Sequence, residues 1–313
     1  MATQLTARHL VDFSAALDGF PNPVSFGADC HGAVWATARR STEKPTFAKG
    51  LGIFPKSKLE TPTEHVVVCW KDHVVERLTV VDEETVFSYV QPWPAGALLV
   101  GARCSWRAAG AEKNALAVAW SGQELARFTL GDGIEDVRAT PNGTVWVSYF
   151  DEGVFGNYGW GGPGPEPLGA AGLCSFTADG EIDFRYDGDA AKTDSICDAY
   201  ALNVAGDDDV WVYFYTEFSV VRICKRKYHV WKTRTSDAHA LAVSGNRVLL
   251  HGGYDKHDHC RILELGGKGT AKVHSDAKIV EENGAALKGA RARGVGQSLY
   301  LFADRSVFVV DQW

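Results

Sequence analysis

Among 313 residues there is a single methionine, no C-x-x-C cysteine pair, and almost no sustained helical periodicity. No apolar run approaches the roughly 20 residues of a membrane-spanning helix, so a helical membrane protein is excluded. Cations are in deficit: 32 Lys and Arg stand against 39 Asp and Glu, for a formal charge of -7. A general binder of nucleic-acid phosphates is therefore excluded too. The Gly-x-Ser-x-Gly elbow, the His-Glu-x-x-His zinc helix and the Rossmann glycine fingerprint are all missing, so no motif declares a chemistry. The start, Met1 to Leu10, lacks a basic cluster followed by an apolar run, and no secretory signal is read there.

Seven cysteines are present, an odd number, at Cys30, Cys69, Cys104, Cys174, Cys197, Cys224 and Cys260. They are scattered, and most sit in apolar runs such as Val67-Val68-Cys69-Trp70. That usage predicts buried free thiols and a cytoplasmic protein. A secreted chain whose leader had been removed would begin in the same way.

What the sequence does have is repetition. Short runs rich in Val, aromatics and Thr alternate with Gly, Asp and Asn turns, which predicts strands at regular spacing. The clearest copy is Asp136 to Gly143 followed by Thr144 to Phe150. Related copies lie at Asp29–Trp35, Pro92–Val100, Ala205–Val212, Val243–Leu250 and Val295–Leu301. A second hairpin follows each of the first five, cleanest at Leu173–Tyr186 with an Ala-Asp-Gly turn. Other turns are expected at Lys71-Asp72, Ser121–Gln123, Lys225–Lys227 and Gly266-Gly267. Four antiparallel strands in roughly 40–60 residues are the period of a β-propeller blade.

The expected fold is therefore all-β: one six-bladed propeller domain over 1–313. Its blades are expected at about 20–82, 83–131, 132–190, 195–235, 236–276 and 286–313. The last has one strand too few, and the N-terminal run 5–13 is expected to complete it as the outer strand, closing the ring. A closed ring has no free edge that requires pairing, so a monomer is expected. The aligned Trp35, Trp146 and Trp211 fall on second strands and are read as core.

At Thr140-Pro-Asn-Gly-Thr-Val-Trp-Val147 and the hairpin Leu173–Tyr186, the chain resembles gluconolactonase/regucalcin-like, streptogramin-lyase-like and sensor-kinase propellers. Those families repeat a Pro-Asp-Gly-x-Val-Trp turn. The resemblance implies the architecture over nearly the whole chain. The lyase-like families carry a catalytic His and Glu in a regular blade repeat, which this sequence does not match. The lactonase-like families hold a central divalent metal through Glu or Asp and Asn, of which only part is found here. Fold resemblance does not carry function.

In such a ring the loops joining second to third strands share a face with the entries to the next blade, and that face usually binds. Two of these loops are long, Ser41–Glu64 and Asp151–Gly172. The second is rich in Gly and Pro and carries three aromatics. Phe155, Tyr158 and Trp160 are expected to wall an apolar pocket, with Asp151 and Glu152 as polar anchors at its root. The alternative is a loop whose aromatics merely cap the blade below. Its glycines are not a phosphate loop, because no Lys-Ser/Thr and no helix follow.

A second constellation is acidic. Asp136, Asp198 and Asp237 occupy repeating blade entries, with Tyr200 and His239 two residues past their aspartates. Three carboxylates at one channel mouth would hold a divalent metal, calcium being the hard-oxygen choice. Alternatively each accepts backbone N–H bonds, or Arg138, Arg291 or Arg293 neutralises the ring. A third segment, His251–Cys260, offers His257, His259 and Cys260 as zinc-type ligands, with a solvated polar turn as the alternative.

These readings favour a binding module that recognises a protein partner or a small molecule. The ligand residues would be Asp151, Glu152, Phe155, Tyr158, Trp160, Tyr200, Arg138 and Arg293. No cofactor is required, and a divalent metal, calcium or zinc, is the candidate if one binds. The rival is a metal-assisted hydrolase, lyase or isomerase at the channel mouth, with Asp198, Asp237 or His239 as base.

Overall fold

Wherever the chain alternates Val, Leu and aromatics with Ser, Thr and charge, and punctuates the run with an Asx-Gly turn, it forms a strand pair. At Thr140–Thr144, for example, Asn142 Oδ1 accepts the Thr144 N–H at 3.0 Å and Gly143 takes φ 85°, which closes the turn. The computed structural model describes residues 3–21, 24–49, 52–254, 258–287 and 289–313. The chain divides into two compact units, Phe13–Tyr186 and a second made of Met1–Asp12 with Asp187–Trp313.

The unit Phe13–Tyr186 contains three four-stranded antiparallel sheets, each following chain order. The first is Val24–Ala28, Val34–Arg39, Lys58–Lys71 and Val74–Thr85. The second is Tyr89–Trp93, Gly96–Val100, Ala115–Ala119 and Glu124–Phe128. The third is Ile134–Ala139, Val145–Tyr149, Leu173–Phe176 and Ile182–Arg185. The sheets stack through apolar faces. Leu98, Ala115 and Ala117 of the second share one core with Val137, Val145, Val147 and Phe176 of the third. Trp35, Val67 and Cys69 of the first meet Leu99, Leu116 and Val118 of the second. Each large side chain buried in this way contributes about 1.5–3 kcal/mol.

In the other unit a four-stranded sheet, Asp198–Gly206, Asp209–Tyr215, Val220–Cys224 and Lys227–Trp231, has the same plan. It packs through Trp211, Tyr213 and Val220 onto Leu241, Val248 and Leu250 of an eight-stranded sheet. The strand Thr3–Asp12 lies in the middle of that sheet and holds its two halves together. Arg8 to Asp12 pairs antiparallel with Ser306–Val310, as expected for an outer strand of the last repeat. Thr3 to Ala7 pairs in parallel with Ala271–Glu281, which was not expected. A strand that bonds on both sides leaves neither neighbour with a bare edge.

Sequential four-stranded antiparallel meanders stacked face to face are the blade plan, and the chain is all-β and propeller-like. Details of the turns shift as well. The hairpin turn expected at Lys71-Asp72 falls at Asp72-His73, with φ 49° and 66°, and that near Lys225 is the pair Lys225-Arg226, with φ 49° and 60°. Two consecutive left-handed residues match the twist of a two-residue hairpin. Trp35, Trp146 and Trp211 are buried as expected; Trp35 stacks on Trp120 and Trp211 on Trp231, while Trp146 meets Phe184 at a tilt of 54°.

One side chain holds three first strands together. Asn203, with 0% exposure, donates its amide Nδ2 to the Leu241 carbonyl at 2.9 Å and to the Gly296 carbonyl at 2.9 Å. Its Oδ1 accepts the Gly296 N–H at 2.8 Å. The approach is so close that a Cβ on Gly294 would lie 1.6 Å from the Leu241 carbonyl oxygen.

All seven cysteines are free thiols; Cys69, Cys104, Cys174 and Cys260 are buried. Burial pushes the Cys69, Cys174 and Cys260 thiols up to about 12. A thiol reagent at pH 8 is therefore expected to modify at most Cys30, Cys197 and Cys224 rapidly, and all seven only after denaturation. A denatured, unreduced count below seven would contradict the free-thiol assignment.

Candidate functional site

Three segments interrupt the plain meander in the unit Phe13–Tyr186, and each joins a second strand to a third. The first carries a hairpin, Thr46–Lys49 with Gly52–Pro55. The second, between Val100 and Ala115, carries the short pair Trp106–Arg107 with Gly110–Ala111. The third is the 151–172 segment, which opens with a one-turn helix, Asp151–Phe155, where irregular loop was expected.

The three insertions converge. The Tyr158 hydroxyl donates to the Pro55 carbonyl, and the Trp106 N–H donates to the Tyr158 carbonyl at 2.9 Å. The Tyr158 ring meets Phe47 edge-on at 6.0 Å, and Phe47 stacks on Phe54 at 5.8 Å. Gly159, at φ 94°, lies against the Trp106 backbone, where a Cβ would come within 2.3 Å of the carbonyl oxygen. Only glycine fits there, which accounts for part of the loop's composition. Between these segments lies a cleft of about 570 Å3, lined by Phe47, Phe54, Asn157, Tyr158, Trp160 and Pro163.

A buried charge network supports the cleft from below. The Arg103 guanidinium pairs with Asp132 at 2.8 Å and with Glu152 at 2.6 Å, and lies 4.0 Å from the Tyr158 ring centroid. Asp132 also accepts the Cys104 N–H at 2.8 Å. Burial lifts the Asp132 carboxyl to about 6, with Arg103 opposing the rise. Sequence reasoning missed both Arg103 and Asp132. They are 29 residues apart in chain, and no local pattern marks the pair.

The residues expected around this loop divide. Tyr158 walls the cleft. Trp160 shows it little surface, being only 5% exposed, with its indole N–H donated to the Cys104 carbonyl at 2.8 Å. It anchors the loop more than it offers a face to a ligand. Glu152 is held by Arg103. Asp151 caps the adjacent N–H of Glu152 at 2.7 Å, and Phe155 stands 66% exposed in solvent.

The second compact unit gathers another set. Tyr200 lies between His239, stacked at 5.5 Å, and Tyr215, stacked at 6.5 Å, while Tyr254 stands across it at 85°. The Tyr200 and Tyr254 hydroxyls share a hydrogen bond; burial first, then this bond, pushes the Tyr200 phenol up. Asp237 accepts the Tyr254 N–H at 3.0 Å, and Asp198 faces Tyr215 across the sheet. So the matching positions of Tyr200 and His239 do bring their rings together. Beside them a smaller cleft of about 260 Å3 opens, lined by Arg234, Thr235, Ser236, Asp237, His259 and Arg261.

Other expectations are corrected. Asp136 and Arg138 are both buried and pair with one another at 2.9 Å, so neither is presented as a metal or ligand group. They are two residues apart on one strand and share a face, which is why they meet. Among the described residues no three His, Cys, Asp or Glu side chains assemble to hold a metal ion. Arg293 is half-buried and donates to the Ala292 carbonyl at 3.1 Å. His257 lies outside the described residues. His259 pairs with Asp276 at 3.3 Å, and Cys260 is buried opposite His251.

A family model described as the YxzG family matches residues 173–310. No curated protein matches the chain. Among solved structures, a streptogramin B lyase is similar at 11% identity over 97% of this chain and 96% of that one, with a TM-score of 0.46. The extracellular domain of BT4673 from B. thetaiotaomicron is similar at 11% identity over 98% of this chain, with a TM-score of 0.45, and this chain covers 40% of it. A protein of unknown function from Bacteroides caccae is similar at 13% identity over 79% of this chain and 80% of that one, with a TM-score of 0.39. The propeller-like assignment rests on the sheets themselves.

Proposed function

We propose that the chain is a recognition module that binds a small molecule or a protein segment in the aromatic cleft. The observation that carries this is convergence. Of the three segments that depart from the meander between second and third strands of the unit Phe13–Tyr186, two line one cleft, and the other, through Trp106, braces its Tyr158–Gly159 wall. Its volume, about 570 Å3, lies inside the roughly 300–1,000 Å3 of ligand pockets. Phe47, Phe54 and Tyr158 supply flat apolar walls, and Asn157 a polar contact. The buried Arg103 network fixes the Tyr158 ring before any ligand arrives, which lowers the entropic cost of binding. We further propose that the sheets form six blades of a closed ring, with Thr3–Asp12 completing the last.

The test is a thermal-shift screen of small aromatic and amide compounds against the protein and its Phe47→Ala/Phe54→Ala variant. Both rings are half-buried on a hairpin outside the main sheets. Removing them is expected to abolish the ligand-induced shifts while the ligand-free melting temperature changes by only about 2 °C. Undiminished shifts in the variant would sink the assignment. Trp160→Ala is a poorer variant, because it also removes a buried anchor.

A further inference from the structure

The smaller cleft, in the unit Asp187–Trp313 with Met1–Asp12, has a chemistry the aromatic cleft lacks. Its wall carries charges of both signs that do not neutralise each other. Arg234 is exposed and has no ion-pair or hydrogen-bond partner among the described residues. Among the described residues Asp237, three residues on, receives only the Tyr254 N–H, on Oδ2 at 3.0 Å. The two side chains line the same cleft, yet they form no salt bridge with one another.

Between them sits Thr235. Its residue is 8% exposed and its hydroxyl is buried without a hydrogen-bond partner among the described residues. Its backbone is fully engaged: the N–H donates to Thr233 Oγ1 at 3.0 Å, and the carbonyl accepts the Tyr213 hydroxyl at 2.7 Å. A buried hydroxyl left unpaired is destabilising unless something entering the cleft completes it. Asp237 itself is held at φ 65°, a left-handed conformation that a non-glycine residue adopts at some strain. The remaining cations of the cleft are already committed. Arg261 binds Asp276 at 2.8 Å and His259 binds it at 3.3 Å, so that side of the cleft is nearly neutral.

We infer that this cleft binds a small zwitterion of the α-amino-acid type. The carboxylate of the ligand pairs with the planar Arg234 guanidinium, whose fork matches it in two parallel hydrogen bonds. The ammonium donates to Asp237. The Thr235 hydroxyl donates to the carboxylate or accepts from the ammonium. A simple anion would leave Asp237 repelling it, and a simple cation would leave Arg234 doing so. A ligand with both groups satisfies both. At about 260 Å3 the cleft is smaller than those that hold drug-sized ligands, which also selects a small occupant.

The experiment is calorimetric titration of the full chain with individual proteinogenic L-amino acids. The best binder is then compared with the carboxylic acid and the amine that lack one of its two charged groups. At least one amino acid is expected to bind with Kd below about 1 mM, with both single-charge analogues at least about tenfold weaker. Arg234→Met and Asp237→Asn are each expected to weaken binding about tenfold or more. Thr235→Val should weaken it several-fold without lowering the melting temperature of the free protein, since it removes an unpaired hydroxyl. Phe47→Ala/Phe54→Ala should leave this binding unchanged, which separates this site from the aromatic cleft. Absence of binding at about 10 mM for every amino acid overturns the inference. So does equal binding of the acid or amine analogue, or full affinity in Arg234→Met.

Discussion

Replacing Arg103 with methionine is expected to lower stability by about 3–5 kcal/mol, the loss typical of breaking a buried ion pair from one side. The side chain is nearly as long and its stem still packs, so the loss isolates the charge. Two carboxylates, Asp132 and Glu152, then share a largely buried site with no cation. Like charges in low dielectric repel, and Asp132 keeps only its backbone donors. The effect depends on pH with a defined sign. Burial has already raised the Asp132 carboxyl to about 6 from 3.8, and Arg103 is what opposes that rise. Without Arg103 it climbs further. A carboxyl raised in the folded state contributes stability below its unfolded value and loses it as pH rises through the folded one. The deficit of the variant is therefore expected to be largest near pH 8 and to shrink toward pH 5. Urea denaturation at several pH values measures it. A deficit independent of pH would show that Arg103 acts through packing alone.

Asn203→Leu is expected to be of similar size, about 3 kcal/mol. The substitution leaves the buried Leu241 carbonyl and the half-buried Gly296 N–H without their partner. Each buried polar group left unpaired costs about 1–3 kcal/mol. The Gly296 carbonyl is spared, because it also accepts the Val243 N–H at 2.8 Å. Chemical denaturation of Asn203→Leu beside Asn203→Asp reads the effect. Asn203→Asp keeps an acceptor for the Gly296 N–H but loses both donations. It should be destabilised as well, and unlike the leucine variant it should recover in acid, where the protonated carboxyl can donate again. Wild-type stability in Asn203→Leu would remove the clamp from the account.

Much of the fold was legible because turns are written locally. Asn142 and Gly143 dictate a turn whatever surrounds them, and the run Val145–Tyr149 that follows reads as a strand and is buried along its whole length. The N-terminal strand was legible by bookkeeping, since one repeat was short of a strand. Its parallel half, Thr3 to Ala7, was not, because parallel pairing leaves no turn in the sequence to mark it. The candidate site was legible in outline only. The 151–172 segment stood out by composition. Yet which aromatic lines the cleft and which anchors the loop depends on partners far away in chain. Trp160 goes inside because the Cys104 carbonyl, 56 residues earlier, takes its N–H. Tyr158 stays at the cleft because Pro55 and Arg103 hold it there. The second insertion, 101–114, escaped notice because it is short and polar. Asp136 and Arg138 could have been read as a pair, since alternate residues on a strand share a face.

Ligand binding in the aromatic cleft is tested by watching the ring resonances of phenylalanine and tyrosine while the strongest binder from the small-molecule screen is added. Selective labelling of those two residue types, with single substitutions for assignment, is sufficient. Saturable shifts are expected at Phe47, Phe54 and Tyr158, with Tyr213 and Tyr215 unmoved. Shifts confined to Tyr200, Tyr215 and Tyr254, with Phe47 and Phe54 silent, would contradict it and move the recognition site to the other compact unit.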